Sequence, residues 1–213
     1  MWNDIITALA QSKDAIQAVF AAIGSVVAIL GLRAWRKQLA GKTEYELASR
    51  LLRATYGVRD RVNMLRSPFV SAGEMYSAAK AKYSDEEELS QALEKHDHLA
   101  ELAYQVRWEK VQEAISDLAV QELEAEVLWE ERLKPSFREF YDCLTELRNA
   151  LEDYLSMRRG DYGDVSKEDR LKTKKIVLRG WGTRSDKADE FGDRFSKAIK
   201  ALSSATRPYL DIK

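Results

Sequence analysis

The fold is decided by one apolar segment, Ala15–Leu32, which reads AIQAVFAAIGSVVAILGL. It contains no charged residue, and Gln17 is its only strongly polar side chain. At about 1.5 Å rise per residue, a helix over this segment measures roughly 27 Å, close to the ~30 Å hydrocarbon core of a bilayer. We therefore predict one transmembrane helix. The alternatives are a buried helix of a soluble protein and a cleaved signal peptide.

Charged residues flank this segment unevenly. Before it lie Asp4, Lys13 and Asp14, and after it lie Arg33, Arg36, Lys37 and Lys42. Because Lys and Arg beside a span stay on the cytoplasmic side, we predict an outside N-terminus and a cytoplasmic C-terminal body. Trp2 and Trp35 stand beyond opposite ends, where aromatic side chains anchor at lipid headgroups. Asp4 precedes the apolar run where a signal peptide would carry basic residues, which disfavours a signal peptide.

Small residues recur within the predicted span at spacings of three and four. They are Ala18, Ala21, Ala22, Ser25 and Ala28. Such a row lets helix backbones approach closely in lipid and marks association faces. We therefore expect a homo-oligomer; the alternative explanation is that Ala is simply frequent in membrane helices.

Composition predicts helices throughout the rest of the 213-residue chain. Prolines are few, and Glu, Ala, Leu, Lys and Arg dominate, as in long helices. We predict an all-α protein with a lead-in and anchor over 1–40. A cytoplasmic bundle of about five or six helices, with one long helical arm, would occupy 41–213. Cys143 is the single cysteine, so no intramolecular disulfide can form, which suits a reducing compartment.

Breakers and capping pairs divide the body into expected helices. Gly41 is expected to end the membrane helix, and the following helix is expected to end at Ser67-Pro68. The predicted helix starts are Thr43 with Glu46, Ser71 with Glu74, Ser84 with Glu87, Ser136 with Glu139, Ser166, and Ser185 or Asp186. The stretch from Ser84 to Lys134 contains neither Gly nor Pro, and its two rows of apolar residues, or seams, are out of phase on a continuous helix. We therefore expect a bend between Gln105 and Gln121, with Val111, Ile115, Leu118, Val127 and Leu128 forming the second seam.

Charge is segregated along the chain. From Asp85 to Glu131, acidic residues outnumber basic ones fifteen to three. Basic residues follow the predicted span closely, and they are candidates for binding anionic lipid or a protein partner: Arg33, Arg36, Lys37, Arg50 and Arg53. Arg59, Arg61 and Arg66 are expected on the same polar face. The second basic segment is the better candidate for nucleic acid, through Arg170, Lys172, Lys174 and Lys175.

The residues that carry chemistry are incomplete. Glu94 and His98 share a helix face, but one pair supplies too few ligands for a tight metal site. There is no phosphate-binding glycine motif, and no histidine lies near Cys143 in sequence. We therefore predict a protein with no enzymatic activity, no cofactor and no metal.

The body resembles helical nucleases of the HEPN class in size, and Arg148-Asn149 is similar to the opening of their catalytic motif. The histidine expected four to six residues later is replaced by Asp153, Tyr154 or Leu155. The general acid–base group of such a nuclease is therefore missing. This resemblance implies at most a degenerate relative in which Arg148 and Asn149 contact RNA.

A second resemblance covers both ends of the chain. WRKQLAGKTEYELASRLLRATYGVRDRVNMLRSPF (35–69) and DEFGDRFSKAIKALSSATRPYL (189–210) resemble an uncharacterised family of small bacterial inner-membrane proteins. The layout is also similar to membrane-anchored accessory proteins of Cas13b-type defence systems. These resemblances imply a bacterial inner-membrane protein that acts by self-assembly or by binding a cytoplasmic partner in stress or phage defence. A membrane-tethered RNA-binding effector is the alternative.

Overall fold

The computed structural model is helical throughout the residues that it describes, which are 2–161, 163, 166–180 and 189–210. For residues 2–22 and His96 only the backbone is described. The described residues include no strand, and the predicted all-α class is confirmed. The chain forms two compact units, which hold Met1–Glu46 and Leu47–Asp211.

Seven α-helices occur in the described chain. They are α1 Trp2–Leu65, α2 Ala72–Lys82, α3 Glu86–Leu93, α4 His96–Trp129, α5 Lys134–Arg159, α6 Lys167–Val177 and α7 Glu190–Thr206. Short 3-10 helices, Glu130–Leu133 and Arg207–Tyr209, precede α5 and follow α7.

Helix α1 is longer than predicted because Gly41 does not end it. The helix continues through Gly41 to Leu65, so the expected break and the new start at Thr43 are wrong. The Thr43 hydroxyl donates to the Leu39 carbonyl one turn earlier, at 3.1 Å, instead of capping a helix. A helical Gly costs only about 1 kcal/mol relative to Ala, which neighbours of high helix propensity offset.

Two predicted N-caps are confirmed. The Ser71 hydroxyl accepts the backbone N–H of Glu74 at 3.2 Å and opens α2. The Ser166 hydroxyl accepts the N–H of Asp169 at 3.1 Å and opens α6. Each bond satisfies an amide that has no partner within its own helix.

The start of α3 is one residue later than predicted. Asp85, not Ser84, is the N-cap, and its carboxylate accepts the amides of Glu87 and Glu88 at 2.8 and 3.1 Å. A carboxylate at this position also interacts favourably with the positive end of the helix dipole, which a serine hydroxyl does not.

The starts of α5 and α7 also differ from prediction. Helix α5 begins at Lys134 rather than Ser136, because Pro135 is tolerated in a first turn where its missing N–H needs no partner. Helix α7 begins after Asp189, whose carboxylate accepts the Gly192 amide at 2.9 Å. The expected start at Ser185 or Asp186 lies outside the described residues.

The long stretch before Pro135 breaks earlier than predicted. Helix α3 ends and α4 begins within residues 93–96, and α4 passes unbroken through the expected bend at 105–121. Tyr83, the C-cap of α2, hydrogen-bonds His98 of α4 at 2.7 Å, and buried side chains of α2 and α4 form a small second core. Tertiary packing therefore sets this break, since no Gly or Pro is present there.

Contacts show that neighbouring long helices of the second unit run antiparallel. Arg50 of α1 contacts Glu124 of α4, whereas Ser67, just after α1, accepts from Tyr104 near the start of α4. For α4 and α5, the antiparallel pairs are Glu122–Tyr141 and Glu101–Arg159. For α1 and α7, they are Tyr56–Ser203 and Arg66–Asp189. Helices α1, α4, α5 and α7 therefore form an up-down-up-down bundle.

The core of the second unit is filled by apolar residues at helical spacing. The buried residues of α5 include Phe137, Phe140, Leu144, Leu147, Leu151 and Tyr154, and those of α7 include Phe191, Phe195, Ile199 and Leu202. In α4 the predicted seam holds at Val111 and Leu118 but is wrong at Val127 and Leu128, which are exposed. The seam fails because α4 leaves these two positions on a face that no other described element covers.

Two buried arginines join the helix ends. Arg66, expected on a basic face, is 2% exposed and donates to Asp189 at 2.7 and 3.0 Å and to the carbonyls of Lys175 and Ile176. That expectation is wrong, because Arg66 lies at the end of α1, where α6 ends and α7 begins. Arg107, 5% exposed, similarly binds Glu74 and two carbonyls of the loop between α1 and α2.

Candidate functional site

The most unusual surface of the described chain is the apolar part of α1. The large apolar side chains of this part are solvent-exposed: Ile23, Val26, Val27, Ile29, Leu30, Leu32, Trp35 and Leu39. At 100° per residue, Ile23, Val27 and Leu30 share one side, whereas Leu32 and Ile29 lie on the opposite side. Exposure is similar on both, 55% at Ile23 and 48% at Leu32. A helix that is apolar all round requires an apolar environment on every side.

Among the described residues, no helix is both long enough and apolar enough to cross a membrane. The predicted span begins at Ala15, and the side chains of residues 15–22 lie outside the described part. The transmembrane helix therefore stays a prediction. Of the expected association face, Ala18, Ala21 and Ala22 also lie outside the described side chains, while Ser25 and Ala28 are exposed.

The basic residues expected to meet lipid or a partner occupy different surroundings. Arg33, Arg36 and Lys37 are exposed on α1. Arg50 instead donates to Gln121 at 2.9 Å and contacts Glu124, so its charge is matched by the acidic helix α4. Arg53 is exposed and donates to the Ser49 hydroxyl of its own helix at 2.9 Å. Arg33, Arg36 and Lys37, which lie nearest the predicted span, are thus better candidates than Arg50 and Arg53 for binding lipid or another protein.

Arg148 lies in a groove of about 540 Å³ between α4 and α5. The groove is lined by Trp108, Leu151 and Leu155 and by polar side chains that include Gln105 and Arg159. Arg148 itself donates to Glu152 at 3.0 Å, and Asn149 beside it is exposed. Two arginines stand among acidic residues here, so the groove carries no strong preference for an anion.

The basic helix α6 borders a different hollow, of about 330 Å³, between α5, α6 and α7. Lys172 and Lys175 line it together with Glu146, whereas Arg170 is exposed and Lys174 is half-buried. Positions 146 and 148 point to nearly opposite sides of α5. The structure therefore separates Arg148 from the basic helix, and the two do not form one nucleic-acid surface.

The contacts of His98 and the burial of Cys143 are those of residues with a structural role. Within the described residues no cluster of His, Cys, Asp or Glu could hold a metal ion. His98 bonds the hydroxyl of Tyr83, and the side chain of His96 lies outside the described part. Cys143 is buried, and desolvation raises the pKa of its thiol. A buried thiol with a raised pKa is a poor nucleophile.

Two features of the structure were not predicted from the sequence. The first is the pair of buried arginine clusters, because the pattern of charges does not show which arginine faces inward. The second is an exposed apolar row on α4, formed by Val120, Leu123 and Val127. Their spacing of three and four residues places them on one helix face, but spacing alone does not show that this face is exposed.

Comparison of the chain with protein-family models, with curated proteins and with solved structures returns no match. The argument for function therefore rests on the exposed apolar part of α1 and on the surfaces of the bundle.

Proposed function

We propose that the protein is a membrane-anchored helical protein that acts by self-assembly or by binding a cytoplasmic partner, without enzymatic activity of its own. One observation carries the proposal: from Ile23 to Leu30, α1 contains no charged residue, and every large apolar side chain in this segment is solvent-exposed. Water disfavours such a surface by about 25 cal/mol per Å² of apolar area, and a bilayer removes it on all sides at once.

The residues that follow support an anchor at a lipid surface. Arg33 and Lys37 are exposed just beyond the apolar part of α1 and lie on one side of the helix. Each basic residue near an anionic surface contributes about 1 kcal/mol to binding. We therefore propose that the bundle lies on the cytoplasmic side of a bacterial inner membrane.

Assembly is favoured over nucleic-acid binding as the mode of action. The candidate nucleic-acid residues lie on separate surfaces, and Arg148 is paired with Glu152. The bundle instead exposes an apolar row among acidic side chains on α4, a surface typical of protein contacts. Assembly in a stress or phage-defence response is the setting that we propose.

Flotation of the full chain with lipid vesicles tests the anchor. We expect the native chain to rise with the vesicles and an Ile23→Asp, Val26→Asp variant to remain at the bottom of the gradient. Each Asp near the centre of a span opposes insertion by about 2.5 to 3.5 kcal/mol. The matched control is Leu93→Asp with Leu171→Asp, two exposed leucines of the bundle, and it should float like the native chain.

Two results would contradict the anchor. One is a native chain that fails to float. The other is equal flotation of both double variants, which would show that α1 does not carry the binding.

A further inference from the structure

The apolar row on α4 is a contact surface without a partner in the described chain. Val120, Leu123 and Val127 follow one another at spacings of three and four residues, and Leu123 and Val127 are 65% and 82% exposed. Val127 and Leu123 are thus among the most exposed apolar side chains of the bundle. A row this exposed on a packed bundle marks an interaction site.

Acidic side chains surround this row. On the helix, Glu113, Asp117 and Glu124 lie along one side of the row and Glu126 lies along the other. All four are exposed, and among them Glu124 is paired with Arg50. The row therefore favours a helix that presents apolar residues flanked by basic ones, and it opposes a second α4, which would bring like charges together.

The chain itself contains a helix of that kind. On α1, Leu32, Trp35 and Leu39 are exposed and have the same spacing of three and then four residues. Arg36 lies along one side of this second row and Lys42 along the other, and both are exposed. The two rows match in length and in spacing, and the charges that flank them are opposite in sign.

We infer that the α4 row of one copy binds the Leu32–Trp35–Leu39 row of a second copy, so that the protein assembles through a head-to-tail contact. The inference rests on the proposed self-assembly and names its two surfaces. Because the contact joins two different surfaces, each copy keeps one of each free for further copies. Such contacts close into rings or continue as filaments.

Disulfide crosslinking of two single-cysteine variants of the full chain tests the contact. Trp35 and Leu123 are the middle residues of the two rows, so they meet whether the helices run parallel or antiparallel. One tagged chain carries Trp35→Cys and a second chain with a different tag carries Leu123→Cys. The two are coexpressed, and membranes are treated with a mild oxidant, since a disulfide requires Cα atoms within about 7 Å.

We expect a mixed dimer containing both tags, in several-fold higher yield than with Ser90→Cys, an exposed position of α3, in place of Leu123→Cys. The native chain, with buried Cys143 alone, serves as the blank. Adding Arg36→Glu should lower the yield of mixed dimer several-fold. Arg61→Glu, at an exposed arginine of α1 far from the row, should leave it unchanged.

Two other outcomes overturn the contact. Dimers formed only between two Leu123→Cys chains would show that α4 meets α4. Absence of the mixed dimer from chains that float with vesicles would contradict this contact and leave the anchor standing. A mixed dimer formed by chains that do not float would support the contact and contradict the anchor, so the two proposals fail separately.

Discussion

Replacement of Arg66 by methionine tests a buried ionic contact of the bundle. The Arg66 side chain is 2% exposed, donates four hydrogen bonds and stacks its guanidinium 4.7 Å from the ring centre of Phe191. Arg66→Met leaves the Asp189 carboxylate and two carbonyls without this donor. Removing one partner of a buried ion pair typically costs about 3 to 5 kcal/mol.

The loss is measured as the free energy of unfolding from urea titrations followed by circular dichroism. For a domain of this size, a loss of 3 to 5 kcal/mol also lowers the melting temperature by about 6 to 20 °C. The matched control is Arg53→Met, an exposed arginine of the same helix, which should change stability by less than about 0.5 kcal/mol. An Arg66→Met protein within about 1 kcal/mol of the native protein would refute the reasoning.

The same ion pair makes stability depend on pH. Burial alone raises the pKa of Asp189, but the hydrogen bonds from Arg66 and from the Gly192 amide outweigh it and hold that pKa below its ordinary 3.8. A carboxyl whose pKa is lower in the folded than in the unfolded chain stabilises the fold above its unfolded pKa. That contribution disappears as pH falls through the folded value. Asp189→Asn should therefore flatten the loss of stability below about pH 4.

Four further predictions concern the bundle. Arg107→Met should lower stability by about 3 to 5 kcal/mol in urea titrations, since it leaves Glu74 without its buried partner. Gly160→Ala should destabilise the fold by about 1 to 2 kcal/mol, because φ is +81° at Gly160. Glu130→Gly should stabilise the fold, because φ is +56° at Glu130. Melting temperatures that move the other way would contradict these two predictions. Cys143 should react with thiol reagents far more slowly in the folded chain than in urea, and equal rates would disprove its burial.

The sequence predicts best the helical features that depend on residues close together in the chain. The apolar positions of α5 recur at helical spacing, and they end at Gly160, whose positive φ favours glycine. Ser71 and Ser166 cap their helices as predicted, because a cap depends only on residues within one turn.

The incorrect predictions concern features that distant residues decide. Gly41 and Thr43 have the local pattern of a helix end and start, yet α1 passes through both. The break before His96 depends on packing between α2 and α4. Arg66 is buried through its contact with Asp189, a residue 123 positions further along the chain. For the same reason the exposure of Val127 cannot be read from the spacing of apolar residues alone.

The measurement that tests the membrane anchor most directly is the environment of opposite faces of α1 in vesicles. A polarity-sensitive dye is attached to Val27→Cys or to Ile29→Cys in the full chain, with Leu123→Cys on α4 as the reference. The account predicts that the dye reports an apolar, lipid-quenched environment at both α1 positions and not at Leu123→Cys. Quenching by lipid at neither α1 position, or at only one of them, would contradict a helix surrounded by the bilayer.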